Sequence, residues 1–316
     1  MTKCAACDNS FNTRYQRPIE EARTKDASNF QIEAGQKANL ELQAKLKPYL
    51  LQRLKVDFMA DDLPTKSDFV VWTHLSDRQR EMYEEYVDAK DSAVADILSG
   101  VKSSPLEAIT WLKKLCGHPI LVSKNADNPT IPGPFELKKD SVKLQVLDAL
   151  VAQLRRKGHR ILIFSQSTRM LDIIQTVLRG QVQGISRIDG STKEKDRQRL
   201  VDSFNEPGST TEVMLLSTGA GGVGLTLTGA DRAIIYDPSW NPAEDSQAID
   251  RCYRIGQKKD VTVYRFIAAG TVEEKVSLLP RYVRNKNICL TSDFSRITDV
   301  RETSAQRWHQ ASCCNA

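Results

Sequence analysis

The sequence predicts an α/β domain over residues 141–280, in which helices cover a parallel β-sheet, preceded by a mostly helical segment. Three observations predict this class. From Ser141 onward, short apolar runs such as RILIFS and VMLLS alternate with helical patterns, as they do in parallel sheets. The length of 316 residues suits about two domains. Hydrophobic residues at 40% and charged residues at 27% are typical of a globular chain and exclude a disordered one.

The region before residue 141 is predicted to be mostly helical. The elements expected there are an amphipathic helix over 34–55, a strand over 69–75, a helix over 76–100, a helix over 105–116 and a loop over 123–140. Pro64 marks the break after the first helix. Ser76 can cap the helix that follows the strand, and Gly100 can end it.

From residue 141, helices and strands alternate and build a sheet of about five strands. Helices are predicted over 141–157, 168–179, 193–205, 242–255 and 271–279, and strands over 160–165, 184–188, 213–217, 233–237 and 261–267. Ligands of such sheets bind at the carboxyl ends of the strands. The loops expected to carry function are therefore SQST, DGST, STGAGGVG and DPSWNP, which follow the first four strands.

Charge and cysteine content narrow the class of protein. The net charge of +5 is compatible with a nucleic-acid ligand without requiring one. No apolar run approaches the roughly 20 residues that span a bilayer, and the start MTKCAACDNS is too polar for a secretory signal, so an intracellular protein is expected. Seven cysteines, an odd number, argue against a disulfide framework. Cys4 and Cys7 form one C-x-x-C, but a structural zinc site needs four ligands and no second suitable pair lies nearby, so no metal site is predicted.

The glycine loop STGAGGVG admits one alternative, a dinucleotide site. Read from Gly219 it fits G-x-G-x-x-G after an apolar strand, and Asp237 ends a later strand 18 positions on, as the fingerprint asks. That fingerprint also needs a packing helix after the glycines. Only LTLTGADR separates Gly224 from the next strand, which is too short for this helix, so a nicotinamide or flavin site is disfavoured.

The segment WNPAEDSQAIDRCYRIGQ indicates a phosphate-binding helix. Asn241 is a good N-cap and Gly256 can close the helix. Gln247, Arg251 and Arg254 are spaced i, i+4, i+7 and would share one face, while Ala248, Cys252 and Ile255 would seat the helix on the sheet. Arginine suits phosphate because its planar fork donates two parallel hydrogen bonds. The plainer alternative is a solvated stripe with ordinary ion pairs.

Together these motifs resemble a known family. The run DGST, then STGAGGVGLTLTGADRAIIYDPSWNP, then QAIDRCYRIGQKKDVTVYRFIAAGTVEEK, resembles the second RecA-like lobe of Swi/Snf-type ATP-dependent DNA translocases of helicase superfamily two. KLKPYLLQRLKVDFMADDLPTK and LKKLCGHPILV resemble the brace and the closing segment of the helical protrusion. The wording DPSWNPAEDSQAIDRCYRIGQKK is similar to the excision-repair, Cockayne syndrome B-like subgroup.

The resemblance implies a role for each matching residue. The paired arginines Arg251 and Arg254 would be catalytic arginine fingers that reach the γ-phosphate of ATP, which lies between two lobes. The ATP-binding residues would be Gln247, Gly222 and Gly224. The DNA-binding residues, which would contact phosphate and sugar, would be Ser165, Gln166, Asp189, Gly190, Ser191, Thr192, Ser217, Thr218 and Gly221. For Ser191 and Thr192 a helix N-cap is a second interpretation.

The resemblance also implies a domain division. It assigns 1–75 to the tail end of lobe one and the brace, 76–140 to the helical protrusion and loop, and 141–280 to the helicase C-terminal RecA-like domain, and leaves 281–316 unplaced. ATP with Mg would be held mainly by lobe one, because the sequence contains neither G-x-x-x-x-G-K-[ST] nor an Asp-Glu-x-His box. Two departures stand out: Gly219 replaces a frequent Arg or Lys, and Ser141-Val142-Lys143 replaces Ser-Gly-Lys.

The function expected from this resemblance is that of the C-terminal half of a double-stranded-DNA translocase in chromatin remodelling or DNA repair. Its partners would be double-stranded DNA, nucleosomes and lobe one, its location nuclear, and the chain alone inactive as an ATPase. The alternative is a truncated, non-catalytic module that binds DNA or a partner and regulates a full-length relative. The size of the endogenous protein would separate the two.

Overall fold

The computed structural model describes residues 10–24, 27–51, 63–88, 105–123, 131–221, 224–277 and 287–290 of the chain. The chain divides into two compact units, an N-terminal unit up to Asp61 and a sheet unit from Asp62. Among the described helices, none is both long and apolar enough to cross a membrane.

The N-terminal unit is helical. A π-helical turn over Asn12–Gln16 leads into α1, Arg17–Glu21, and α2 covers Asn29–Leu46. Helix α2 begins with a capping box in which Ser28 and Gln31 exchange hydrogen bonds, and it ends nine residues before the predicted limit of 55. A Cβ at Gly35 would lie 2.3 Å from the Cβ of Ala22, so glycine permits the close approach of this helix to the end of α1.

The sheet unit contains a parallel seven-stranded sheet in the order β3-β4-β2-β5-β6-β1-β7. The strands are β1 Lys66–Thr73, β2 Ile161–Ser165, β3 Ile185–Ile188, β4 Val213–Ser217, β5 Arg232–Ile235, β6 Val261–Ala268 and β7 Asn287–Leu290. The five strands predicted within 141–280 are all present. The predicted strand near residue 70, however, pairs in parallel with β6 over eight residues, so the sheet takes a strand from the segment assigned to the brace.

The helices of the sheet unit surround this sheet. They are α3 Asp77–Asp88, α4 Pro105–Gly117, α5 Pro134–Lys139, α6 Val142–Arg156, α7 Thr168–Leu178, α8 Glu194–Asn205, α9 Thr218–Gly221, α10 Pro242–Ile249 and α11 Val272–Ser277. Helix α5 lies in a segment predicted as loop, where a proline suits the first helical turn. Residues 89–100 of the helix predicted over 76–100 lie outside the described residues.

Each face of the sheet carries its own hydrophobic core. Alternate residues of β2 divide between the two: Ile161 and Ile163 pack with α6 and α7, whereas Leu162 and Phe164 pack with α8 and α10. Because both faces are covered, the central strands β2 and β4 are apolar except for a terminal serine, and every residue of both is buried. This double burial explains the continuous apolar runs seen in the sequence.

Candidate functional site

The four motif loops meet at one edge of the sheet. They follow β3, β4, β2 and β5, which are consecutive neighbours in the strand order. Because all four strands are parallel, their carboxyl ends lie on the same side. The prediction that these loops share a ligand edge therefore agrees with the topology.

The DGST loop after β3 is folded around the carboxylate of Asp189. Its Oδ1 accepts hydrogen bonds from the backbone N–H of Ser191 at 2.9 Å and from the Ser191 hydroxyl at 2.6 Å, and Arg187 donates to Oδ2 at 2.8 Å. The Ser191 hydrogen bonds, with the guanidinium of Arg187, hold the pKa of Asp189 below its usual range. Asp189 is only 5% exposed, so its carboxylate shapes the loop, and Gly190 forms the exposed tip.

The N-cap interpretation of Ser191 and Thr192 is wrong. Lys193 occupies the N-cap position of α8, and its side chain makes no capping hydrogen bond. The Thr192 hydroxyl instead accepts a hydrogen bond from the backbone N–H of Asp189 at 3.1 Å. Both hydroxyl groups therefore bind within the loop rather than to the helix.

The SQST loop after β2 is tied to the DPSWNP loop by Asp237. The carboxylate of Asp237 accepts a hydrogen bond from the Ser165 hydroxyl at 3.1 Å and from the backbone N–H of Gln166, which lies 3.1 Å from both oxygens. Ser165 is fully buried, whereas Gln166 is exposed. Of these two residues, both predicted to bind DNA, only Gln166 presents its side chain at the surface.

Burial and two lysines set the electrostatics beneath this pair of loops. Burial raises the pKa of Asp237 to about 7, although the hydrogen bond from Ser165 and the nearby charges of Lys143 and Lys113 act in the opposite direction. Lys113, from α4, donates to the Pro238 carbonyl at 2.8 Å and lies 5.0 Å from the centre of the Trp240 ring. Burial lowers the pKa of Lys113. The ammonium group of Lys113 on α4 therefore holds the DPSWNP loop from the protein interior.

A buried ion pair lies directly behind the same loop. Lys143 is 2.7 Å from the carboxylate of Glu273, and both residues are at most 1% exposed. Lys143 also donates to the Tyr236 carbonyl at 3.3 Å, and Glu273 accepts the backbone N–H of Ala268 at 2.9 Å. The lysine of the Ser-Val-Lys sequence therefore anchors β5, β6 and α11 together.

The glycine loop after β4 begins with the short helix α9. Ser217 is 7% exposed and Thr218 is half-buried. A Cβ at Gly219 would meet no atom within 4 Å, so this position is open. Gly224 has φ +54°, a left-handed conformation that favours glycine.

Several residues named in the sequence analysis lie outside the described residues. Gly222 lies outside the described residues, and for Gly221 only the backbone is described. Cys4 and Cys7 are likewise outside them. Residues 224–231, all described, contain no helix, and Asp237 serves the SQST loop, so the geometry gives no support to a dinucleotide site.

The helix predicted over 242–255 ends much earlier, which corrects the proposed face. Asn241 caps α10 as expected, with its side chain accepting from Ala243 N at 3.1 Å, but the helix stops at Ile249. Arg251 and Arg254 therefore lie in the turns that follow, and Gln247 alone of the three is helical. Ala248 and Cys252 are buried as predicted. Ile255, assigned to the same stripe, is 66% exposed.

Tertiary hydrogen bonds hold the turns that follow the helix. The Arg251 carbonyl accepts the backbone N–H of Leu227 at 2.9 Å, and the Cys252 carbonyl accepts the side-chain amide of Gln257 at 3.1 Å. These acceptors are consumed by partners outside the helical ladder. The exposed side chain of Arg254 donates to the Thr226 hydroxyl at 3.3 Å. Both arginines thus sit beside the segment that follows the glycine loop.

Sequence reasoning missed the residues that support this edge from within. Gln257, Lys113 and the Lys143–Glu273 pair were given no role, and Asp237 was considered only for a dinucleotide. Their partners lie up to 130 positions away in sequence, so no local spacing reveals them.

Among the described residues, no group of three or more His, Cys, Asp or Glu side chains could hold a metal ion. Burial raises the pKa of the Cys116 and Cys252 thiols to about 12.

Comparison with known families gives two matches. Residues 142–256 match the helicase conserved C-terminal domain, and residues 2–121 match the SNF2-related domain. Among solved structures, the C-terminal part of the Fun30 ATPase domain is similar, with a TM-score of 0.58 and 28% identity over 75% of this chain and 95% of that one. The predicted RecA-like fold of a helicase C-terminal lobe is confirmed.

Curated relatives are similar over most of the chain. Protein CHROMATIN REMODELING 24 of Arabidopsis thaliana is 37% identical over 85% of this chain. DNA excision repair protein ERCC-6 of Mus musculus is 40% identical and DNA repair and recombination protein RAD26 of Saccharomyces cerevisiae 38% identical, each over 84% of it. The chain spans 27%, 18% and 24% of the length of these three relatives. From its two domains and these relatives, the chain belongs to the SNF2-related (Swi/Snf) family of helicases, a family of chromatin-remodelling and DNA-repair ATPases.

Proposed function

We propose that this chain is the C-terminal half of an ATP-dependent double-stranded-DNA translocase of the chromatin-remodelling or DNA-repair type. One observation carries the proposal: four motif loops follow four adjacent parallel strands. The turn that contains Arg251 is hydrogen-bonded to the segment that follows the glycine loop. The family's chemistry needs both a phosphate site and a DNA track, and this edge offers groups suited to each.

Arg251 and Arg254 are proposed as arginine fingers for ATP held by lobe one. A guanidinium at the γ-phosphate stabilises the charge that develops during phosphoryl transfer, which is worth roughly 10³–10⁵ in rate in studied NTPases. Gln247, exposed at the end of α10, together with Gly222 and Gly224, would contact the nucleotide. Lobe one would hold the triphosphate and Mg.

The DNA track is proposed along the other loops. The groups at the surface are the Gln166 side chain and the backbone at Gly190, together with the half-buried Thr218 in the glycine loop. Gly221 is proposed to contact DNA beside them. Such contacts go to phosphate and sugar, so binding would not depend on sequence. Ser165, Asp189 and Ser217 are buried and are proposed to shape these loops, while Ser191 and Thr192 close the DGST turn.

The biological setting is proposed from the relatives. Their names speak of chromatin remodelling and of excision repair, which take place in the nucleus. Double-stranded DNA, nucleosomes and lobe one are therefore the proposed partners. Because the chain spans less than a third of these relatives, the activity of the whole protein remains part of the proposal.

The test is DNA-stimulated ATP hydrolysis by the chain combined with a RecA-like lobe one. We expect turnover only when both are present, and an Arg251→Ala variant should lose it by a factor of about 10³ or more. Its affinity for DNA should stay nearly unchanged. Arg156→Ala is the matched control, because this exposed arginine ends α6, ahead of the amino end of β2 and so at the opposite edge of the sheet.

Two results would contradict the proposal. Full turnover by the Arg251→Ala assembly would remove the arginine-finger assignment. No gain in turnover from combining the lobes, with DNA binding intact, would remove the translocase function itself and favour a binding module.

A further inference from the structure

The side chain of Gln257 joins two segments of the candidate site. It is 6% exposed and lies in the turn that follows Arg254. Its Nε2 donates to the carbonyls of Ala230 at 2.7 Å, Cys252 at 3.1 Å and Thr228 at 3.2 Å. Its Oε1 accepts the backbone N–H groups of Lys258 at 2.9 Å and Lys259 at 3.0 Å. Every polar atom of this buried amide is therefore bonded to the backbone.

These contacts span the arginine turn, residues 250–257, and the segment 226–230 that follows the glycine loop. Two further bonds join the same pair: Leu227 N–H donates to the Arg251 carbonyl, and the Arg254 guanidinium donates to the Thr226 hydroxyl. Gly256, with φ +98°, makes the reversal that brings Gln257 back toward the segment. The arginines thus lie on a turn that is fastened at both ends.

We infer that Gln257 is a positioning residue that fixes the arginine turn, and with it Arg251 and Arg254, relative to the glycine loop. The inference rests on the proposed function of the two arginines. The residues after Ile249 are not part of a regular helix, so the positions of their side chains depend on tertiary contacts, and a displacement of about 1 Å can cost roughly 10²-fold in rate. A primary amide is suited to this position because it has two donor hydrogens and one acceptor oxygen in a plane.

Two substitutions separate the effect of the amide's hydrogen bonds from the effect of the side chain's volume. Gln257→Leu has a similar volume and loses all five hydrogen bonds. Gln257→Glu keeps the acceptor for Lys258 and Lys259 but sets a carboxylate against three carbonyl oxygens. Gln145→Leu is the matched control, since this exposed glutamine on α6 makes one hydrogen bond, to the Lys138 carbonyl.

Amide hydrogen exchange on the chain alone reports the position of the turn without ATP. We expect faster exchange at the backbone N–H of Leu227 in both Gln257 variants, and at those of Lys258 and Lys259 in Gln257→Leu, which lacks their acceptor, and no change in Gln145→Leu. In the two-lobe assembly, kcat should fall roughly 10–100-fold while DNA affinity stays the same. In an Arg251→Ala background, Gln257→Leu should cause a smaller loss than it does alone, because the contribution of Arg251 is already gone and only Arg254 is left to be displaced.

A third variant keeps the test decisive if the Gln257 variants do not fold. Thr226→Val removes only the hydroxyl that accepts from Arg254, and it should lower kcat a few-fold. Unchanged kcat in the folded Gln257 variants, or in Thr226→Val where those do not fold, would overturn the inference, as would full multiplication of the losses in the double mutant. The proposed function fails separately, when Arg251→Ala alone leaves turnover unchanged.

Discussion

Two halves of one sheet edge are built in opposite ways. The half after β2 and β5, residues 165–167 and 237–242, is held from within by buried charged and hydrogen-bonded side chains. The half after β3 and β4, called the open half below, contains Gly190 and Gly219. A Cβ added at either glycine would meet no atom within 4 Å. A polar residue at a ligand edge is therefore no sign of ligand contact by itself. Its burial and its hydrogen-bond partners decide whether it shapes the loop or contacts a ligand.

In the internally held half, polar groups are used by the protein itself. Asp245 is fully buried, accepts the Ser239 backbone N–H at 3.1 Å and lies 3.6 Å from the guanidinium of Arg265. The Ser239 hydroxyl donates to Glu244 at 2.7 Å. Such an arrangement fixes the loop before any ligand binds, which is what preorganised catalysis needs.

The largest expected effect comes from breaking the buried ion pair of the held half. Glu273→Ala leaves the ammonium of Lys143 buried without its carboxylate and removes the acceptor of Ala268 N–H. We expect the free energy of unfolding to fall by about 3–5 kcal/mol, measured by urea denaturation. Arg199→Ala, which removes an 81% exposed arginine from α8, should change it by less than about 0.5 kcal/mol. Equal losses in the two variants would contradict the distinction.

The next effect is a pH dependence that belongs to Asp237. Its pKa of about 7 in the folded chain exceeds the ordinary value of 3.8, so between these values the folded state keeps a proton that the unfolded chain has lost. Stability should therefore fall as pH rises from about 4 to about 7. The Asp237→Asn variant has no such titration. Subtracting its unfolding free energy from that of the unmodified chain should give a difference that falls with pH, by at most about 4 kcal/mol.

Measuring both proteins in urea at several pH values checks this prediction, because the titrations of groups not coupled to Asp237 cancel in the difference. A difference that stays constant from pH 4 to pH 8 would show that the carboxyl of Asp237 is not held in a buried state. The titration of Asp237 belongs to the half after β2 and β5, because the glycines of the other half have no ionisable side chain. The variant therefore tests one half alone.

The sequence predicted the positions of the four loops better than the contacts that hold them. Loop positions follow from apolar runs, and the alternation of strands and helices placed all four motif loops at one edge. The length of α10 could not be predicted, because the turns after Ile249 are held by hydrogen bonds from Leu227 N–H and the Gln257 side chain, which lie outside the helical pattern. The partners of Lys143, Lys113 and Asp237 are distant in sequence, and a local pattern carries no information about them.

The place of β1 in the sheet could not be predicted for the same reason, since its partner strand is distant in sequence. FVVWTHL reads as a short strand from its composition, but only the fold shows that β1 pairs with β6 along eight residues. Burial separated residues that a motif places side by side: Ser165 and Gln166 are neighbours with opposite exposure. Whether a motif residue shapes a loop or meets a ligand is thus settled by packing.

The smallest effect on stability is expected in the open half, where a charge can be added without disturbance. Gly219 lies in α9 without a positive φ, and a Cβ there would meet no atom within 4 Å. The proposed DNA track runs along the glycine loop, so Gly219→Lys is expected to add a phosphate contact there. The free energy of unfolding should stay the same or rise by less than about 1 kcal/mol, because lysine favours a helix more than glycine does.

DNA binding is where this last variant should differ. Each phosphate contact adds about 0.9 to the slope of log K against log salt, so the slope for double-stranded DNA should steepen by about one. Gly180→Lys is the matched control: it is equally open and exposed, but it lies between α7 and β3, ahead of the amino end of a strand. Both variants add one positive charge to the same protein. An equal steepening in both would mean that net charge, rather than the open half of the edge, governs DNA binding, whereas steepening in Gly219→Lys alone would place the DNA phosphate beside the glycine loop.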